Sequence, residues 1–388
     1  MAECWPAREK TMHHWTSEAL LAAVNAWVAI ESPTQHVAGV NRVADHVEGM
    51  LRGLGAAIER RPGRDGYADI LIGRVPGVEE GPGLLLLGHM DTVHPVGSFP
   101  MRAEGDRAYG PGIYDMKGGN AIALAALQHL HARGVRPRLP VSVMMIPDEE
   151  MGSPTSRAAI EAEALRHRAA LVVEPSGEGG RITVARHGIA RWHITTQGRP
   201  AHAGAYHREG RSAVREMAHH ILALEALTDH ARNFCVNIGL VEGGTHENMV
   251  PAECRAICYA LVPTAREERE LCEAVQALRR HDPDVRTEVT AGLGRPPYAK
   301  TPAIQALYDH AAALARDIGF EVAGERVAGG GSDGNFTGAL GVPTLDGLGV
   351  IGGGPHTREE FVEVACLVPR TRLLARLFET LGPGVAGL

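Results

Sequence analysis

Six short segments gather acidic and histidine side chains at spacings that suit chemistry. The apolar run Leu84 to Leu87 leads into Gly88-His89-Met90-Asp91-Thr92. Residues two apart in an extended segment face the same side, so Asp91 can buttress His89. Next comes Gly110-Pro111-Gly112-Ile113-Tyr114-Asp115-Met116-Lys117-Gly118-Gly119, whose glycines let a ligand approach the backbone. Asp115 stands just before a helix and reads either as its cap or as a ligand. Pro147-Asp148-Glu149-Glu150-Met151-Gly152-Ser153 sets three acids in succession after Val141 to Ile146. Neighbouring carboxylates repel unless a cation or proton separates them, which suits one acid as metal ligand and its neighbour as general base. A solvated acidic turn is the alternative. Val172-Val173-Glu174-Pro175-Ser176, Gly329-Gly330-Gly331-Ser332-Asp333 and Gly353-Gly354-Pro355-His356-Thr357 complete the set. The triple glycine suggests a phosphate loop, but no Gly-Lys-Ser/Thr follows it, which speaks against nucleotide binding. The nucleophilic-serine signature is also missing.

His89, Asp115, Glu150, Glu174 and His356 together form a mixed histidine and carboxylate set, the donors that suit zinc, manganese or cobalt. Five ligands are too many for one catalytic zinc. With one carboxylate shared, they supply three positions to each of two ions, as where paired ions ~3.5 to 4 Å apart activate a common water.

Elements must hold these segments, and four of the clusters follow predicted strands, where open α/β sheets place their sites. Thr16 and Ser17 cap an amphipathic stretch to about Ile30, and a second runs from about Val40 to Leu54. Apolar strands at Ala68 to Val75, Leu84 to Gly88, Leu139 to Ile146 and Ala170 to Val173 then alternate with helices from Gly118 to about Ala132 and near Thr155 to Arg166. This alternation predicts a mostly parallel sheet flanked by helices. From Ile182 to Thr196 and Phe234 to Val262 the runs lengthen, with helices near Gly210 to Leu227 and Ala265 to Arg280. They read as a smaller α+β insert on an antiparallel sheet. A helix near Pro302 to Asp317 and a closing helix from about Glu360 to Thr380 return to the first pattern. The expected organisation is a discontinuous α/β domain, residues 1–186 and 297–388, interrupted by residues 187–296.

At 388 residues, against ~150 for a typical domain, the chain suits one large and one small domain. Its 44% hydrophobic and 22% charged content exclude a disordered or fibrous protein. A net charge of −7 offers no positive field for a nucleic-acid backbone, so a small-molecule substrate is the expected partner. The N-terminus carries no export signal and no apolar run spans a membrane, so a cytoplasmic protein is expected. Six scattered cysteines read as reduced, mostly buried thiols.

The motifs HMDT, GPGIYDMKGGNA, DEEMGS, VEPS, AHAG, GGGSD and GPHT resemble, in order and spacing, those of a family of dinuclear metallopeptidases. That family includes glutamate carboxypeptidase, acetylornithine deacetylase, succinyl-diaminopimelate desuccinylase and aminoacylase, and the likeness is greatest to its bacterial folate-cleaving branch. The resemblance implies Asp115 bridging two divalent ions, zinc first among the candidates, with His89 and Glu174 completing one site and Glu150 and His356 the other. It implies Glu149 as general base, Asp91 orienting His89, and a lid and dimerisation domain from about His187 to Arg295. It further implies a homodimer in which His202, in Ala201-His202-Ala203-Gly204, reaches the other subunit's site and steadies a tetrahedral oxyanion. Asn248, Gly331 and Ser332 are implied substrate contacts.

One position departs from the family's pattern. Where members that bind a free carboxylate carry Asp-x-Arg, this chain reads Tyr259-Ala260-Leu261. Leucine cannot make a bidentate bond to a carboxylate, so Arg208, Arg211 or Arg255 must replace it or the preference is lost. The expected activity is hydrolysis of an amide, in a peptide or N-acyl amino acid, by a metal-activated water with Glu149 as base. The alternatives are a deaminase of a small aromatic amine within the same family, and a non-catalytic ligand-binding protein on this fold.

Overall fold

The computed structural model describes residues 15–384. Cys4 and the rest of the first 14 residues lie outside them.

The central sheet has six strands in the order Ala57–Arg61, Ile70–Val75, Val141–Ile146, Leu84–His89, Ala169–Val172, Thr344–Leu345. The last four are mutually parallel, and the first two join antiparallel on one side. Every residue of Leu84–His89 and Val141–Ile146 is buried, as their unbroken apolar runs require of strands covered on both faces. The parallel register sets His89 beside Ile146 and Leu87 beside Val172. Three strands therefore end together, and the residues that follow them enter one cleft.

Helix Gly118–Ala132 is buried along most of its length and packs between the sheet and helix Leu367–Thr380. Its small residues allow close approach. A Cβ added at Gly119 would lie 2.0 Å from the Val173 carbonyl oxygen, so only glycine admits this helix start against the chain that carries Glu174. Helices Ser17–Val28 and Val37–Gly53 complete the cover, the first capped by the Thr16 hydroxyl, which accepts from Ala19 N–H at 3.1 Å.

A second sheet is antiparallel throughout, in the order Cys235–Gly243, Glu253–Val262, Gly188–Gln197, Arg286–Ala291. Exposure alternates strictly along Glu253–Val262. Its inner side chains pack with helices Ala213–Glu225 and Ala265–Gln276 into a core of their own around Met217, Phe234, Cys258 and Leu271. Cysteines 235, 254, 258, 272 and 366 are free thiols.

Some elements differ from the sequence reading. Ile182–Arg186 does not join the second sheet; it pairs in parallel with Glu325–Ala328, while Arg186 makes a buried ion pair to Asp346 at 2.6 Å. The closing helix begins at Leu367, not near Glu360, because Phe361–Glu363 pairs as a strand with Arg107–Tyr109. Among the described residues, no helix is long and apolar enough to cross a membrane.

Candidate metal centre

His89 ends its strand with a buried imidazole whose two nitrogens face different ways. Nδ1 is 3.0 Å from the carbonyl oxygen of Asp91 and 3.4 Å from its carboxylate. Nε2 points into the cleft, 3.2 Å from Asp115 and 3.8 Å from Glu174. The Asp91 carboxylate mainly serves the neighbouring acidic turn: it accepts N–H bonds from Glu149 and Glu150 at 3.2 Å each and the Thr34 hydroxyl at 2.8 Å. Asp91 thus ties two strand ends together.

Asp115 does not cap the helix that follows. The capping position is Lys117, which makes no side-chain cap bond. Instead the Asp115 carboxylate lies between the two imidazoles, with its second oxygen 3.4 Å from His356 Nε2. That nitrogen is also 3.4 Å from Glu150. Two trios result, His89–Asp115–Glu174 and Asp115–Glu150–His356, each offering ligand atoms within 4.8 Å of one another. Asp115 belongs to both. His356 reaches its trio from an exposed turn, with φ of 63°.

Charge crowding in the cleft shifts its groups strongly. Burial raises Glu174 well above the usual carboxylate range, and the Asp115 charge adds to it. Glu150 is raised for the same first reason. Burial also acts to raise Asp115, but hydrogen bonds from His356 and His89 outweigh it and hold the carboxyl below its ordinary value. His356 rises to about 10 through its bonds to Asp115 and Glu150. So many buried acids need positive charge among them. One oxygen of Glu150, Oε1, is buried with no hydrogen-bond partner. Carboxylates and imidazoles around shared space, with an unsatisfied carboxylate oxygen, fit divalent cations.

The acidic turn is not solvated. Asp148 is fully buried and bonded to Thr155 and Ser156. Burial raises Glu149 to about 8, although the Arg295 charge pulls the other way. Arg295, which the sequence marks only as a segment boundary, is itself buried and holds Glu149 at 2.8 Å and Asp333 at 2.5 Å. Its local sequence, Gly-Arg-Pro-Pro, reads only as a linker, and nothing in it marks a partner almost 150 residues away.

The other expected site residues are scattered. Gly331 lies against the Arg295 side chain, but Ser332 is buried and its hydroxyl is bonded to Asp346, leaving no hydroxyl proton for a substrate. Arg211 is engaged by Asp284 at 3.0 Å and by the carbonyls of Arg208 and Gly210, and Arg255 pairs with Glu253 at 2.7 Å. Arg208 is exposed. Leu261 packs near Gly329 of the glycine-rich segment. His202 and Asn248 are both exposed on the second sheet's unit, brought together by the Ala203 N–H bond to the Asn248 carbonyl at 2.8 Å. His202 Nδ1 accepts N–H bonds from Gly204 and Ala205 at 3.1 Å each, so the ring proton sits on Nε2.

Residues 85–380 match the family model for peptidase family M20/M25/M40. A carboxypeptidase G2 from a Pseudomonas species is 33% identical over 378 residues, covering 94% of this chain and 90% of the relative. A succinyl-diaminopimelate desuccinylase from Alkalilimnicola ehrlichii is 29% identical, covering 76% of this chain and 83% of its own. Among solved structures, the aminopeptidase PepT of Bacillus cereus superposes with a TM-score of 0.77 at 22% identity, covering 94% of this chain and 98% of the other. An M20 family metallo-carboxypeptidase of Sulfolobus solfataricus gives 0.72 at 16% identity, covering 93% and 99%.

Proposed function

The chain belongs to peptidase family M20/M25/M40, and from that premise and the geometry of the cleft we propose a dinuclear metallohydrolase that cleaves an amide C–N bond in a small peptide or N-acyl amino acid. The observation that carries this reading is the pair of ligand trios sharing Asp115, with Glu149 one residue from Glu150. His89, Asp115 and Glu174 would hold one cation and Asp115, Glu150 and His356 the other, zinc fitting the donors best and manganese or cobalt next. Bound there, the ions supply Lewis acidity to a substrate carbonyl and acidify a water.

The chain's own groups supply the rest. Glu149 removes the proton of the attacking water and passes it to the leaving nitrogen, a role that its raised affinity for a proton supports. Arg295 fixes the Glu149 carboxylate through the 2.8 Å pair. Asp91 holds His89 through its carbonyl and the Glu149–Glu150 turn through its carboxylate. His202, protonated on Nε2, donates to the oxyanion, and Asn248 beside it contacts the substrate. In the absence of arginine at Leu261, the exposed Arg208 is the cation offered to a substrate carboxylate. We take the segment from His187 to Arg295 as the lid and as the contact of a homodimer working in the cytoplasm.

The test is a screen of N-acyl amino acids, dipeptides, folate-like amides and aromatic amines against the enzyme loaded with zinc, manganese or cobalt. Metal-dependent release of an amine from an amide is the expected result. Turnover of aromatic amines alone would make it a deaminase, and no turnover with any metal would leave a binding protein.

A further inference from the structure

Glu360 lies four residues beyond His356, and its side chain is wholly buried. A carboxylate in that setting is costly unless it is bonded on all sides, and here four donors converge on it. Oε1 accepts the backbone N–H groups of Tyr114 and Asp115 at 2.9 Å each. Oε2 accepts that of Gly112 at 3.1 Å and meets His94 Nε2 at 2.5 Å. His94 is buried too, its ring edge-on to Phe99.

The turn from Gly112 to Lys117 has irregular backbone at Gly112, Asp115 and Met116, and Glu360 is the acceptor its inward N–H groups find. The same residue belongs to the segment that presents His356. That segment is tied to the turn again by the Gly110 N–H bond to the Glu360 carbonyl and by the pairing of Phe361–Glu363 with Arg107–Tyr109. The His356 side chain is 55% exposed, and its imidazole contacts among the described residues are to Asp115 and Glu150. The separation of Asp115 and His356 therefore depends on what joins their two segments, and Glu360 is the buried joint.

We propose that Glu360 and His94 are a positioning pair that sets Asp115 against His356 and so tunes the affinity of the Asp115–Glu150–His356 trio for its cation, touching neither ion nor substrate. This rests on the dinuclear reading above. Asp115 serves both trios, so both ions feel its displacement, but the His356 trio loses more, because Asp115 and His356 are both on segments that Glu360 joins, while His89 and Glu174 follow strands that it does not brace.

The experiment uses the full chain, stripped with a chelator and titrated with Zn²⁺ and with Co²⁺, counting ions by calorimetry and following the cobalt absorption bands. Glu360→Gln preserves shape but turns an amide NH₂ toward backbone donors. Partners outside the ligand shell typically change metal affinity ~10- to 100-fold. The ion of the Asp115–Glu150–His356 trio should bind weaker by ~10- to 100-fold and the other by less, one set of cobalt bands should change more than the other, and excess metal should restore kcat more than it changes KM. His94→Gln, which still offers a donor to Glu360, should fall between wild type and His94→Ala. These His94 variants carry the same test if Glu360→Gln does not fold. Wild-type protein binding fewer than two ions overturns the dinuclear reading and the proposal with it. Two ions in wild type, with unchanged affinities and bands in Glu360→Gln and His94→Ala, overturn the proposal alone.

Discussion

In the proposed mechanism Glu149 accepts a proton and then releases it, and its surroundings bear on both halves of that task. Burial raises its affinity for a proton while the Arg295 pair keeps a positive charge at 2.8 Å. Glu149→Gln keeps the shape and every ligand but cannot take the proton, so turnover should drop by at least ~10²-fold at unchanged metal content. Near-normal kcat in a metal-replete variant would take the base role away from Glu149. Asp115→Ala should instead empty both sites, since both trios use it; two tightly held ions by elemental analysis would rule out the shared position. The five ligand candidates were legible because each follows an apolar run or a glycine cluster, a local signal. Arg295, Thr34, His94 and Glu360 were not, since each acts on a partner far along the chain, 245 residues in the case of Glu360 and Asp115. Asp91 was legible as a support for His89, but its carboxylate turned out to serve the Glu149–Glu150 amides more closely.

At the scale of elements, close approach decides how well helix Gly118–Ala132 can serve the site. Gly119→Ala would press a methyl group into the Val173 carbonyl, 2.0 Å away, and the helix must shift from the chain that bears Glu174. Overpacking of this kind costs about 1–3 kcal/mol, so urea melts should show a loss in that range, with metal affinity reduced as well. An unshifted midpoint would mean that the contact relaxes freely. In the second sheet's unit, burial lowers His220, which hydrogen-bonds Thr287 and faces Glu216, His219 and His281. The fold prefers its neutral form, so its contribution is full above the ordinary value of 6.5 and is lost as pH falls through the lowered one. Stability should therefore decline on acidification below about 6.5, and His220→Asn should flatten part of that slope; an identical slope would acquit His220. Helices Gly118–Ala132 and Pro302–Asp317 lie where the sequence places them. Ala57–Arg61 is not legible in the sequence, because an edge strand with half-exposed, mostly charged residues has no apolar signal. Glu359, Glu360 and Glu363 favoured a helix locally, but strand pairing with Arg107–Tyr109 and the buried bonds of Glu360 prevailed.

For the whole molecule, the proposed assembly turns on where His202 does its work. It is exposed, its Nδ1 is satisfied by its own turn, and Nε2 is left as an outward donor on the unit that we assign to the dimer contact. If a second subunit carries that donor across, two different lesions become complementary. Mixing inactive His202→Ala chains with inactive Glu149→Gln chains under conditions of subunit exchange should restore activity. In a mixed dimer, one site combines the intact metal ligands and Glu149 of the first variant with the intact His202 of the second, while the other site carries both defects. At full statistical mixing about half of the dimers are mixed, each with one competent site, so about a quarter of wild-type activity should return if the sites are independent. Sedimentation of tagged chains confirms exchange separately from catalysis. Confirmed exchange without regained turnover would place His202 in its own subunit's chemistry or outside catalysis, and the inserted unit would then serve the reaction only as a lid.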